Sequence, residues 1–295
     1  MKHSRSLILV SSLAFCFLVF YTSCEKEANS SANIPQGQQR ISIRLSDNPV
    51  NFDAVNVDIQ SVAVQVIPDS CQGRHHDDDD NDGEDDHDHD HDARCSVWDT
   101  LDIHPGVYNL LDLANGADTI LANGFTISGK ISKIRLTLGD QNSVVIDNVS
   151  YPLTLWNNDP HVTIKVKGED VDMISQNDLQ FWLDFDAGRS IVRIRDNNFV
   201  LKPFLRVWLP AHTASISGHI QPDSAASVVA AIFNGDTLVA IPKHHDGFFK
   251  IRGITAASAD VFFNATANGY QDTTIAGVQL SVGKDTDVGT VQLHQ

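Results

Sequence analysis

The stretch VNVDIQSVAVQV, residues 55–66, decides the fold class of this chain. In its first half valine and isoleucine stand at odd positions, and from residue 62 onward valines stand at even positions. Alternation with a period of two is typical of a strand with one buried face and one wet face. The change of parity predicts a β-bulge at residues 60–61, because one extra residue turns the two faces of a strand over.

The same alternation recurs along the chain, and no stretch after the N-terminal region sustains helical periodicity over three turns. The clearest further runs are residues 41–45, 134–138, 162–166 and 181–185. The segment Leu209–Thr213 separates a longer from a shorter block of such runs. We therefore expect an all-β fold of two consecutive antiparallel β-sandwich domains, immunoglobulin-like or transthyretin-like, at residues 40–210 and 214–295.

The N-terminus is typical of an export signal. Lys2 and Arg5 precede an apolar run at residues 7–21, which is too short and too close to the terminus for an ordinary spanning helix. The run ends in YTSC, which resembles a bacterial lipobox, although Tyr21 replaces the usual aliphatic residue. This predicts a signal peptide at residues 1–23 and a lipidated Cys24, with an ordinary signal peptide or an uncleaved anchor as the alternative.

Residues 24–39 are polar and predict a flexible tether behind the lipid anchor. The sequence Glu25–Glu27, EKE, resembles the surface-export signal of Bacteroidetes lipoproteins. We therefore expect an outer-membrane lipoprotein that is exposed on the cell surface and has the membrane as one partner.

The acidic segment, HHDDDDNDGEDDHDHDHD at residues 75–92, contains ten Asp, one Glu and five His. It contains no apolar side chain and cannot join a core, so we expect a solvent-exposed loop over residues 72–94. Cys71 and Cys95 flank this loop, and in an oxidising compartment they are expected to form a disulfide.

Three interpretations of the acidic segment stay open. It is a self-repelling loop with a loose ionic atmosphere, a weak transition-metal site for Zn²⁺ or Ni²⁺, or a weak calcium site. The calcium-loop pattern fails at its twelfth position, where His89 replaces the bidentate Glu. The candidate ligands are His75, His76, Asp78, Asp80, Asp82, His87, Asp88, His89, Asp90 and His91.

Charge and motifs restrict the remaining function classes. The net charge of −17 argues against nucleic-acid binding, which needs basic surfaces. The sequence contains no G-x-S-x-G, no H-E-x-x-H and no phosphate-binding glycine loop, so we expect no enzyme and no certain cofactor. Asp184 and Asp186 share one strand face and suggest paired carboxylates, but a structural role is favoured. The tryptophans suit core and sheet packing unless they are spaced along one exposed face.

Several sequence blocks of the first domain resemble the DUF4382 family, a domain of unknown function found in bacterial lipoproteins. The family label implies no activity. The blocks, in order, are residues 45–49, 52–57, 108–113, 134–136, 151–153, 183–187 with Ser190, and 201–203.

The second domain resembles the carboxypeptidase-regulatory-like family, whose modules have a transthyretin-type β-sandwich. This resemblance implies a spacer or adhesion unit, and a fold does not transfer a function. The blocks are residues 216–220, 246–251, 268–270 and 288–293.

Taken together, the sequence favours a non-catalytic lipoprotein of the cell envelope that acts as a binding or structural module. Its acidic segment would gather divalent cations or contact a basic protein or a glycan. The alternatives are a fimbrial or adhesion subunit that assembles by strand addition, for which a removable first strand at Ile41–Leu45 would be evidence, and a carbohydrate-binding surface lipoprotein.

Overall fold

A computed structural model describes residues 34–47, 52–71, 95–166, 178–195, 197–225 and 228–295. The described chain is almost entirely β-strands arranged in separate sheets, which confirms the all-β sandwich prediction. Within these ranges, no helix has the length and apolar character that crossing a bilayer requires.

Among the described residues, the first group of strands has fourteen members and one helical turn, α1 (Ala187–Ser190). The strands are β1 (Gln38–Ser46), β2 (Ala54–Pro68), β3 (Val97–Thr100), β4 (Asp102–Ile103), β5 (Gly106–Asn109), β6 (Thr119–Ile127), β7 (Gly129–Leu138), β8 (Ser143–Ile146), β9 (Val149–Leu155), β10 (His161–Lys165), β11 (Asp178–Phe185), β12 (Ile191–Arg195), β13 (Asn198–Leu201) and β14 (Leu205–Trp208).

The second group of strands follows residue 213. It comprises β15 (Ala214–Gln221), β16 (Val228–Phe233), β17 (Asp236–Ala240), β18 (Phe248–Ile254), β19 (Ser258–Asn264), β20 (Thr273–Gln279) and β21 (Asp285–Gln292). Short 3₁₀ turns lie at Asp69–Cys71, Leu110–Leu113, Trp156–Asn158, Pro210–His212 and Thr266–Asn268.

The first group forms a sandwich of two sheets. One sheet has the order β14-β11-β1-β6-β4, and the other runs β10-β7-β2-β8-β9-β13-β12, with β3 and β5 also paired to β2. The inward side chains of both sheets form one hydrophobic cluster. Strand β1 lies between β11 and β6, and its residues Ile41, Ile43 and Leu45 are fully buried. It begins at Gln38, inside the predicted tether, where Gln38 pairs with Ile127 of β6, and the buried Gln39 side chain donates a hydrogen bond to the Gly129 carbonyl.

Strand β2 contains the predicted bulge. Its pairing with β7 shifts between Ile59 and Ser61, so Gln60 is the extra residue. The valines on both sides of the bulge are completely buried. The bulge therefore lets one long strand keep its apolar side chains inward although their parity changes.

In the part of the chain that the structure describes, three strand pairs are parallel, namely β1–β11, β9–β13 and β15–β21. The sequence predicts antiparallel sheets, and for these three pairs that detail is wrong. Alternation reports which face of a strand is buried, and it carries no information about the direction of the neighbouring strand.

The second group forms a smaller pair of sheets, β18-β15-β21 and β17-β16-β19-β20. These sheets enclose a separate hydrophobic cluster that includes Phe249 and Phe263, whose rings pack edge to face with centroids 5.7 Å apart. Residues 34–295 nevertheless form one compact unit. The domain boundaries at residues 210 and 214 stay predictions.

Ion pairs join the two groups of strands at the outer face of β1, β11 and β14. Asp118, which precedes β6, pairs with Arg44 of β1 and with Arg252 of β18, the latter at 3.0 Å. The guanidinium carbon of Arg252 also lies 4.1 Å from the ring centroid of Trp182. Burial lowers the pKa of Arg252, and the contacts with Asp118 oppose that change.

Asp184 is buried in the same region, although it lies on the outward face of β11. It accepts a hydrogen bond from Arg206 of β14 at 2.7 Å, and its exposed fraction is 2%. Burial raises the pKa of Asp184 to about 6, against the opposing effect of Arg206. The suggested pair Asp184 and Asp186 has separate hydrogen-bond partners: Asp184 binds Arg206, and Asp186 accepts a hydrogen bond from Arg189 N and caps the start of α1.

Replacing Asp184 with Asn tests this burial through the pH dependence of stability. The raised pKa means that the folded protein binds a proton more tightly than the unfolded chain, so the contribution of Asp184 to stability is complete below about pH 4 and is lost as pH rises through about 6. Urea unfolding from pH 4 to 7 should show the variant gaining roughly 1 to 3 kcal/mol relative to the wild type as pH rises.

The control is Asp178→Asn, which removes an exposed carboxylate at the start of the same strand. Parallel stability curves for Asp184→Asn and the wild type would contradict the assignment.

Candidate functional site at the base of the acidic segment

The disulfide Cys71–Cys95 closes the base of the acidic segment, as predicted. The two Cα atoms lie 6.3 Å apart, within the range that a disulfide requires. Cys71 ends the 3₁₀ turn that follows β2, and Cys95 precedes β3, which pairs antiparallel with β2 from Ala63 opposite Thr100 to Val66 opposite Val97. Both ends of the segment are therefore attached to strands of one sheet.

Hydrogen bonds fix the backbone on both sides of this disulfide. Gln65 Nε2 donates to Ser96 Oγ at 2.8 Å, and Asp69 N donates to the Ser128 carbonyl at 3.3 Å. Gly129, opposite Pro68, has a φ of +159°, and a Cβ there would lie 2.2 Å from the Ile67 carbonyl oxygen. Only glycine fits this position, so β2 and β7 approach closely just before the segment begins.

The predicted metal ligands, His75, His76, Asp78, Asp80, Asp82, His87, Asp88, His89, Asp90 and His91, all lie outside the described residues. Cys24 and the predicted signal peptide lie outside them as well. Among the residues that the structure describes, no group of three or more His, Cys, Asp or Glu side chains is placed to hold a metal ion. His244 and His245 occupy an exposed turn between β17 and β18.

The four tryptophans lie in three separate places. Trp98 is on the outer face of β3, Trp156 lies in a 3₁₀ turn, and the rings of Trp182 and Trp208 are 6.4 Å apart beside Arg252. Trp98 and Trp182 each have an arginine over the ring. The single evenly spaced aromatic face that would support the carbohydrate alternative is therefore not formed by these residues.

A basic face that the sequence analysis missed lies beside the base of the acidic segment. We use this name for the outward side of β3, β2, β7 and β10 around Trp98, Lys133, Arg135 and Lys165. Lys133 and Lys165 stand directly opposite each other, and the Arg135 guanidinium lies 3.8 Å from the Trp98 ring centroid. The outward positions of the alternating runs already carried these cations in the sequence, but only the cross-strand register brings them together.

A buried polar cluster joins several of the sequence blocks quoted above. Asp47 Oδ1 accepts a hydrogen bond from Ala187 N at 3.0 Å, and the Ser190 hydroxyl donates to the Asp186 carbonyl at 2.6 Å. Ser190 Oγ also accepts a hydrogen bond from Phe204 N at 2.8 Å. These bonds satisfy backbone groups that are buried between β1, α1 and β14, so the motif residues have structural partners.

Comparison with protein families identifies a known domain that covers most of the first group of strands. The model of the Domain of unknown function (DUF4382) matches residues 38–203. The chain belongs to the DUF4382 family. The matched range begins at the first residue of β1 and includes the acidic segment, which therefore lies within the DUF4382 domain. A search of the curated proteins finds no match to the chain.

Solved structures that resemble the chain include pilin and fimbrial proteins, at low similarity. A shaft pilin from Lactobacillus rhamnosus GG is 7% identical, with 87% of this chain and 96% of that chain covered and a TM-score of 0.21. The fimbrial anchor protein Mfa2 from Porphyromonas gingivalis is 7% identical, with coverages of 86% and 90% and a TM-score of 0.20.

A leucine-rich repeat protein from Bacteroides thetaiotaomicron is 11% identical, with a TM-score of 0.17. The match covers 88% of this chain, which spans about a quarter of that protein's length (26%). TM-scores this low carry no argument about function. The resemblance of the second group of strands to carboxypeptidase-regulatory-like modules stays a prediction.

Replacing Cys71 and Cys95 with Ser tests the contribution of the disulfide. The cysteines are 24 residues apart, so the unfolded chain gains loop entropy and the free energy of unfolding should fall by about 3 kcal/mol. Guanidinium unfolding of the oxidised wild type and of the double variant measures this difference. A change of less than about 0.5 kcal/mol would contradict it.

Proposed function

We propose that this protein is a non-catalytic, lipid-anchored module of the cell surface whose acidic segment gathers divalent cations. The observation that carries the proposal is the disulfide-closed base, which attaches both ends of a segment with eleven carboxylates to one rigid sheet. A DUF4382 domain with this segment would present a concentrated negative charge at one defined point of an exported protein.

Electrostatics favours cations at such a place. The segment holds eleven of the 38 acidic residues of the chain within eighteen positions. Carboxylates confined in this way repel one another, and the repulsion falls when divalent cations bind between them. Neutral imidazoles with carboxylates suit Zn²⁺ and Ni²⁺, whereas the carboxylates alone suit Ca²⁺. Since the sequence sets no fixed coordination geometry, we expect weak binding of several ions and little selectivity.

The fimbrial alternative makes a larger structural demand. Strand addition at the position of β1 would require this strand to leave both β11 and β6 and to expose three fully buried side chains. The large apolar area then exposed would destabilise the sandwich. Filaments in electron micrographs of the purified protein would favour that alternative over the cation-binding module.

Calorimetric titration tests the cation-binding proposal. Zn²⁺ or Ni²⁺ added to the chain without its signal peptide should release heat that disappears when residues 75–92 are replaced by a Gly/Ser segment of equal length. Replacing only the five histidines of the segment with Gln should abolish the response to Ni²⁺ and preserve weak Ca²⁺ binding.

The control is the double variant His244→Gln, His245→Gln, which removes two exposed imidazoles elsewhere and should bind as the wild type does. Heats no larger than dilution for the wild type, or equal heats after replacement of the segment, would overturn the proposal.

Anchoring is tested in cells. Changing Cys24 to Ser should abolish incorporation of a palmitate analogue and move the protein out of the membrane fraction, because the acyl chains supply the membrane affinity. The matched control is Cys16→Ser, inside the apolar run, which should leave both properties unchanged. An unlabelled wild type would contradict the lipid anchor, and protection from added protease in intact cells would contradict surface exposure.

A further inference from the structure

The outward side of β3, β2, β7 and β10 carries positive charge that this part of the fold does not neutralise. In register, one row across the four strands reads Trp98, Gln65, Lys133 and Lys165, and the next reads Thr100, Ala63, Arg135 and Thr163. These eight positions contain three permanent cations and no carboxylate. In the described chain, neither Lys133 nor Lys165 forms an ion pair.

The arrangement of these cations is unfavourable without an anion. Lys133 and Lys165 occupy directly opposite positions of an antiparallel pair, where like charges repel. Arg135, two residues from Lys133, is held against Trp98 and within 3.4 Å of Thr163 Oγ1, so it adds to the positive charge of the same face. A bound polyanion would convert this repulsion into attraction.

The acidic segment supplies such a polyanion from an adjacent place. It leaves the sheet after Cys71 and returns at Cys95, and Trp98 lies only three residues beyond Cys95. Three strand spacings, roughly 14 Å, separate β3 from β10. Half of the 23 residues between the cysteines spans up to roughly 36 Å when extended, so the segment is long enough to reach every cation of the basic face.

We propose that the basic face docks the acidic segment of the same chain. The contact is a tethered, salt-sensitive interaction between the carboxylates of residues 77–92 and the cations Lys133, Arg135 and Lys165. A second consequence rests on the cation binding proposed above. The side chains of Lys133, Arg135 and Lys165 compete with divalent ions for the same carboxylates. By thermodynamic linkage each weakens the binding of the other.

Zero-length cross-linking tests the docking without any metal. A carbodiimide at low ionic strength joins an amine to a carboxylate that already touches it, and peptide mass spectrometry of an equal mixture of ¹⁴N and ¹⁵N protein separates products within one chain from products between chains. We expect amide bonds from Lys133 and Lys165 to residues 77–92 of the same chain, and their loss at high salt.

Three results would overturn the docking: no such product, products mainly with Lys202, Lys243 or Lys284, or products exclusively between chains. The last result would make the acidic segment of a second copy the occupant. Because this experiment contains no divalent cation, its failure is independent of a failure of cation binding.

The competition is measured by repeating the cation titration on the triple variant Lys133→Gln, Arg135→Gln, Lys165→Gln. Its affinity for Zn²⁺ or Ca²⁺ should rise by about fivefold or more at low ionic strength, the lower end of typical coupling between sites. The matched control, Lys202→Gln, Lys243→Gln, Lys284→Gln, removes the same charge from other surfaces. An equal rise in both variants would reflect net charge alone and would overturn the competition.

Discussion

The rest of the first sandwich depends on the pairing of strand β2. This one strand of 15 residues bonds to β5 and β8 near its start and to β3 and β7 towards its end. The bulge at Gln60 separates the two halves. Asp58, buried beside the bulge, accepts a hydrogen bond from Gln141 N and so binds the chain that follows β7 to β2. Without the extra residue, the valine side chains in one half of β2 would point toward solvent.

The pairing of β2 also explains why the acidic segment is tolerated between β2 and β3. A stretch without apolar side chains contributes nothing to a core, and its ends are brought together only at an entropic cost. Here the cost is offset by the β2–β3 ladder, by the close contact of β2 and β7 at Gly129, and by the disulfide at the base of the segment. The acidic segment therefore adds charge to the DUF4382 domain, and the strands on both sides of it stay paired.

The sequence predicted what depends on local pattern, and it missed what depends on contacts across the fold. The bulge at residue 60, the buried faces of β1 and β11 and the pairing of Cys71 with Cys95 follow from alternation and spacing. The burial of Asp184 does not follow from the local pattern, because an outward position of a strand is exposed to solvent only where no other element covers it. Parallel pairing of β1 with β11 is likewise invisible, and so is the opposition of Lys133 and Lys165, which requires the register between β7 and β10.

The two outer faces of the first sandwich differ in how their charges are balanced. On the face that the second group of strands covers, Arg44 and Arg252 share Asp118, and Arg206 pairs with Asp184. Burying an unpaired charge is costly, so a covered face retains only charges that have partners. On the basic face water screens the cations, and Lys133 and Lys165 tolerate their opposition at a modest cost. The chain carries a net charge of −17, and eleven of its carboxylates fall in the acidic segment between Cys71 and Cys95, so we attribute the local excess of cations to the anion that we propose binds there.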